Sequence, residues 1–240
     1  MTASEKDQAE SHGHEHRDVS GGWLRPAVFG AMDGLVTNVS LIAGVGGGGG
    51  SQHAIVLTGL AGLAAGAFSM AAGEYVSVSS QNELIHSEVA KERHELTHNA
   101  AAEQAELAGM LRRRGVSAVT AKQAAEEISA NPDKALAVHA LEELGVNPSE
   151  LPSPVVAAGA SLTAFAVGAI VPLLPYALGF DSLGVALGLS ALAAIIGGGM
   201  VARLTNRPFW RGAVRQLILG SFAAGVTYLI GLAVGGMAAT

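Results

Sequence analysis

Two carboxylates stand inside long apolar runs of this sequence: Asp33 in FGAMDGLVTNVS and Glu74 in AGAFSMAAGEYVSVSSQ. An ionised carboxylate deep in a membrane costs about 3 kcal/mol or more, so such residues face a bundle interior, a partner or a water-filled path. Met70 lies four residues before Glu74 and shares its helix face, with Ser77 three residues beyond. Asn38, on the first run, offers an amide oxygen. Carboxylate, thioether and amide oxygen together suit a borderline divalent cation such as Fe2+ or Mn2+. The alternative is that the two acids pair across helices and share a proton. Residue types alone specify a cation or proton path and nothing finer.

A second group of acids lies between the second and third apolar runs. Residues 82–150 hold 12 acids and 7 bases, a net charge of −5, against 8 acids and 7 bases in the rest of the chain. On a helix advancing about 100° per residue, Glu88, Glu92, Glu95, Glu103 and Glu106 share an arc of about 80°. Like charges at such spacings repel, so the stripe needs compensation. The Arg112–Arg114 run at the helix end is one source. Metal is the other, because Glu92/Glu95 and Glu103/Glu106 have the spacing of helix-borne ligands in carboxylate-bridged metal sites. A break between Thr97 and Ala101 would fold the stripe into two antiparallel helices with facing pairs. His139, Glu142 and Glu143, on a later helical stretch, would complete a cluster. A solvated acidic face is the ordinary alternative. His94 and His98 fall off the stripe and read as surface histidines, while His12, His14 and His16 form a loose capture motif in the tail.

The elements that must position these groups follow from composition. Half of the 240 residues are hydrophobic and 14% are charged, where soluble domains carry about 25% charged residues. Five apolar runs, roughly Pro26–Gly46, Ala54–Ser80, Val155–Leu178, Leu183–Ala202 and Ala213–Ala238, are each long enough to cross a hydrocarbon core, which takes about 20 residues. The expected fold is all-α and polytopic. A disordered His-containing tail (1–22) is followed by spans 1–2 (23–81), a helical insert (82–152) and spans 3–5 (153–240). Asn131-Pro132, Asn147-Pro148 and the Pro152–Pro154 pair are its breakers. Lys6, Arg17 and Arg25 precede the first span and Arg203, Arg207, Arg211 and Arg215 surround the fourth connection, whereas connections 1–2 and 3–4 have no Lys or Arg. The positive-inside rule then puts the tail and the insert in the cytoplasm and the C-terminus outside. With no cysteine, thiolate chemistry is excluded. No nucleophile–base pair, nucleotide loop or HExxH spacing appears, so neither an enzyme nor a nucleic-acid partner is expected.

MDGLVTNVSLIAGV, GAFSMAAGEYVSVSSQ, the two ExxE pairs and EELG at 142–145 together resemble the vacuolar iron transporter family, whose members include plant and yeast vacuolar transporters and many bacterial proteins. The resemblance runs from about Trp23 to the C-terminus. It implies a bacterial member, sited in the plasma membrane, that forms a homodimer of five-span subunits with a cytosolic metal-binding insert. It also implies proton-coupled export of Fe2+ or Mn2+ with no further cofactor, so the expected partners are divalent metal ions, protons and the lipid bilayer. Asp33 and Met70 match the family's membrane metal path, with Glu74 in the same motif. Glu92, Glu95, Glu103, Glu106 and Glu143 match its cytosolic glutamates. Where many relatives carry Met just before the EEL, this chain has His139-Ala140, which exchanges a thioether for an imidazole. The rival reading is a membrane-tethered metal buffer or sensor that transports nothing, and a further rival is a proton-coupled transporter of an organic solute.

Overall fold

The computed structural model describes residues 22–238, and the His-bearing tail lies outside them. The described residues form an all-α polytopic membrane protein with five helices long and apolar enough to span a bilayer. Helix α1 (Leu24–Gly47) leads through a glycine turn to α2 (Gln52–His98), which Ser51 caps by accepting from the Ala54 N–H. The insert continues with α3 (Ala100–Arg113), α4 (Ala118–Ser129) and α5 (Pro132–His139). Asn131 caps α5 through its side-chain oxygen, and Pro132 occupies the first turn, where its missing N–H costs nothing. Helix α6 (Pro154–Ile170) tightens into a 3-10 turn at Val171–Leu173 and resumes as α7 (Leu174–Ala177). Pro172 and Pro175 each remove a ladder donor there. Helices α8 (Leu183–Leu204) and α9 (Phe209–Ala238) complete the bundle.

Helix α2 is 47 residues long, about 70 Å at a rise of about 1.5 Å per residue. It passes from the second span into the insert without interruption, so the expected division between residues 81 and 82 falls inside one rigid rod. Asn82 on this rod donates to the Pro152 carbonyl at 2.9 Å, which ties the returning end of the insert to it.

Helix α1 lies at the centre, with 44% of its most apolar stretch buried against 6% for α9. Gly30 and Gly34 are the reason it can. A Cβ on Gly30 would lie 2.7 Å from the Ser161 carbonyl oxygen, and one on Gly34 would collide with the Phe165 carbonyl. Gly168 of α6 meets the Ala31 carbonyl as closely. The matching order of these contacts makes α1 and α6 parallel, and Gly44–Thr227 and Gly48–Gly231 make α1 and α9 parallel too. Odd-numbered spans therefore point one way, and the insert shares a membrane face with the start of α1 and the α8–α9 connection. Asn38, fully buried on α1, donates its amide to the Ala169 carbonyl beside the proline-broken turn.

Gly34→Ala should destabilise the protein by about 1–3 kcal/mol, as overpacking of a tight contact does. Gly73→Ala, where a Cβ meets nothing within 4 Å, should not. Thermal unfolding of both variants in one detergent compares them directly.

Candidate metal centre

Glu92 and Glu103 are eleven residues apart and would be about 16 Å apart on a straight helix. The chain turns at Asn99 between α2 and α3, and this reversal brings them together. Asn99 marks the corner by bonding its amide to the Glu95 carboxylate. The third contribution comes from the end of α5, where the backbone widens into a π-helical turn, Ala140–Leu144. Gly145 ends that turn with φ of 67°, a left-handed conformation that a side chain would strain, which accounts for the glycine of EELG.

These three elements converge on one imidazole. His139 is fully buried, with its Nδ1 2.9 Å from Glu92 Oε1, 3.1 Å from Glu143 Oε1 and 3.7 Å from Glu103 Oε2. Ligand atoms of Glu92, Glu103, His139 and Glu143 all lie within 4.8 Å of one another. Nδ1 carries at most one proton, too little to satisfy three carboxylates. Burial, followed by repulsion from Glu143, pushes the Glu92 carboxyl above its usual range despite the neighbouring His139. Glu103 is raised by burial and then by Glu106, with smaller contributions from Glu143 and Glu95.

The spacing suits a cation. At metal–ligand distances of about 2.1 Å, two donor atoms sit about 3.0 Å apart at right angles and about 4.2 Å apart when opposite. The separations around Nδ1 fall on that scale. Three carboxylate oxygens and one imidazole nitrogen form a hard-to-borderline donor set, compatible with divalent first-row metals.

The other candidates are distributed differently. Glu95 and Glu106 are exposed at the rim, and act on the cluster through charge. Glu142 lies outside the four and pairs with Arg114 at 3.0 Å. Of the Arg112–Arg114 run offered as one source of compensation for the stripe, Arg114 is committed to the π-helical turn, and Glu88 is paired with Lys91 at 2.6 Å. No sequence signal marks such tertiary pairings. His94 and His98 are exposed and stacked on each other with ring centres 3.9 Å apart.

In the membrane the candidates remain separate. Asp33 is half-buried and accepts from Thr37 Oγ1 at 3.4 Å. Met70 packs on Ala67, Phe165 and Ala169, the cluster between α2 and α6. Glu74 is half-buried one turn further along, and no hydrogen bond or ion pair joins it to Asp33 among the described residues.

A raised native carboxyl binds its proton more tightly than the unfolded chain does. In the metal-free protein Glu92 and Glu103 therefore contribute stability that is fully present below the ordinary carboxylate value of 4.5 and is lost as pH climbs through their raised native values. Thermal midpoints measured in chelator across that range should fall with rising pH, and Glu92→Gln should flatten the fall.

The VIT family model matches residues 24–232. The chain is 34% identical over 226 residues to a protein of Acanthamoeba castellanii named vacuolar iron transporter, covering 91% of this chain and 82% of that one. It is 33% identical to vacuolar iron transporter homolog 3 of Arabidopsis thaliana (93% and 88% covered) and 30% identical to vacuolar iron transporter 1 of Oryza sativa subsp. japonica (92% and 91%). The matched region takes in both apolar motifs, the whole insert and all five spans, so the chain belongs to the VIT family.

Proposed function

We propose that this protein is a transporter that carries Fe2+ or Mn2+ out of the cytoplasm in exchange for protons, acting as a homodimer. The observation that carries the reading is the Glu92–Glu103–His139–Glu143 group, in which Glu103 and His139 are buried, Glu92 is half-buried and Glu143 is exposed, and which gathers three carboxylates around a single imidazole. Membership of a family whose named relatives are iron transporters supports metal as the cargo. The arginines at one membrane face support a cytoplasmic insert, in a plasma membrane if the host is bacterial.

On this reading the insert collects the cation and α2 delivers it. Glu74 and Glu92 are 18 residues apart, which is five turns at about 3.6 residues per turn, so the two carboxylates share one face of a continuous helix. The cation leaves the insert's carboxylates, is received by Asp33, Met70 and Glu74, and exits on the opposite face. Protons then replace it on the carboxylates for the return step, and an acidic exit side favours release because protons compete with metal. Exposed apolar residues of α2, such as Phe68 and Val76, supply the surface for a second subunit or for lipid.

In reconstituted vesicles Asp33→Asn should reduce Fe2+ flux to background while leaving the thermal midpoint in place; undiminished flux would remove Asp33 from the path. Replacing Glu92, Glu95, Glu103 and Glu106 by Gln should abolish calorimetric metal binding by the full-length protein. Unchanged affinity would return that helix face to a solvated role. Running the flux assay with Fe2+ and Mn2+ in competition, with and without a pH gradient, ranks the two metals and tests the exchange with protons.

A further inference from the structure

The α8–α9 connection has the opposite charge problem to the insert. Arg203 sits in the last turn of α8, Arg207 in the connection, and Arg211 and Arg215 one turn apart on α9; all four are exposed. Among the described residues none of the four has a carboxylate within ion-pair distance, whereas four of the insert's seven cations, Lys91, Arg93, Arg114 and Lys122, do.

Their scaffold is rigid. Asn206 adopts a left-handed conformation at φ of 54°, and the Arg207 N–H reaches back to the Ala202 carbonyl at 2.8 Å, which closes the end of α8 in a Schellman-type turn. Just beyond, Gly198 and Gly212 bring the two backbones into direct contact, and the Phe209 ring covers Gly199. Four exposed guanidinium groups carried by one such hairpin favour an anion among them.

The location says which anion. This connection lies where two spans end, and α1, parallel to α9, brings Arg25 and Trp23 to the same edge. Both tryptophans of the chain are there and exposed, Trp23 at 52% and Trp210 at 62%, with the Arg211 guanidinium 5.5 Å from the Trp210 ring centre. Indole rings favour the headgroup level of a bilayer, and arginine forks match phosphate oxygens in bidentate fashion. On the opposite edge, residues 48–51 and 178–182 contain no Lys or Arg and one acid, Asp181.

We propose that the α8–α9 hairpin is a binding site for the phosphate headgroups of anionic phospholipids. It is a fixed surface, distinct from the diffuse charge bias that orients spans during insertion. It does not depend on the metal reading.

The test uses the full-length protein with Trp23→Phe, which leaves Trp210 as the sole tryptophan, in phosphatidylcholine vesicles. Brominated phosphatidylglycerol at low mole fraction should quench Trp210 more strongly than brominated phosphatidylcholine at the same fraction. The preference should drop about fivefold per arginine in Arg203→Gln and Arg207→Gln, and further in the double variant. Arg207→Lys should keep part of it. Equal quenching by the two lipids overturns the proposal, as does an undiminished preference in the double variant. Inorganic phosphate, added against a chloride control of equal ionic strength, should leave the preference in place; its loss would make the hairpin a general anion site and overturn the assignment to lipid.

Discussion

Lipid tails are as apolar as leucine, so burying leucine does little to hold one membrane helix against another. What holds α1 in place is backbone laid against backbone, with Gly30 and Gly34 on α6 and Gly44 and Gly48 on α9. The central position of α1 follows from that contact, and so does its capacity to carry polar groups. Asn38 sits fully buried with its amide on the Ala169 carbonyl, and Asp33 lies half-buried one turn earlier. A helix on the rim of the bundle would have to offer both residues to hydrocarbon. The same contact ties α1 to the proline-broken end of α6, where the ladder is short of donors and the Asn38 amide supplies one.

Two clusters of like charge lie on the membrane face defined by these parallel spans, and they are built by opposite means. The carboxylates come from three separate elements and meet only because Asn99 reverses the chain and α5 widens into a π-helical turn. The arginines come from one hairpin and are kept apart from every carboxylate of the described residues. Four of the insert's cations pair away from its site, Lys91 with Glu88, Arg93 with Asp133, Arg114 with Glu142 and Lys122 with Glu126. Among the described residues no ion pair neutralises the arginines, and the carboxylates share only the His139 imidazole; both clusters lie close to the ends of helices.

The spans, the proline breakers and the acidic pairs on either side of Asn99 were legible in the sequence because each rests on local periodicity or on a single residue's backbone preference. Apolar run length placed five helices, and Pro132 and Pro154 opened two of the helices that follow breakers. The meeting of Glu92 with Glu103 was legible as far as a break between Thr97 and Ala101; only the fold identifies Asn99 as the corner. His139 was recognisable as one member of a cluster, but not as its centre. That role depends on a buried position and on a π-helical turn, for which the sequence has no marker. Likewise, the partner of Arg114 is a matter of tertiary approach, and helical angles could not separate Glu142 from Glu143. Met70 was aligned with Glu74 by spacing, and the fold adds that it packs against the α2–α6 cluster around Phe165.

The insert has little apolar burial with which to offset its charge. Its larger core side chains are Leu107, Met110 and Leu136, supported by alanines at 121, 125, 135 and 140. Against this stands the cost of holding Glu92 and Glu103 in a setting that raises both carboxyls. A cation bound by the folded insert and not by the unfolded one stabilises it by mass action, and it does so by removing the repulsion that opposes folding. On the proposed reading the cation joins short elements, α3 and the π-helical turn, to α2, which continues into the second span. Glu92 stands on this rod, and Glu103 and Glu143 reach it from shorter elements. Of the three walls of the site, the one on α2 is the longest element, and its helix face leads to Glu74.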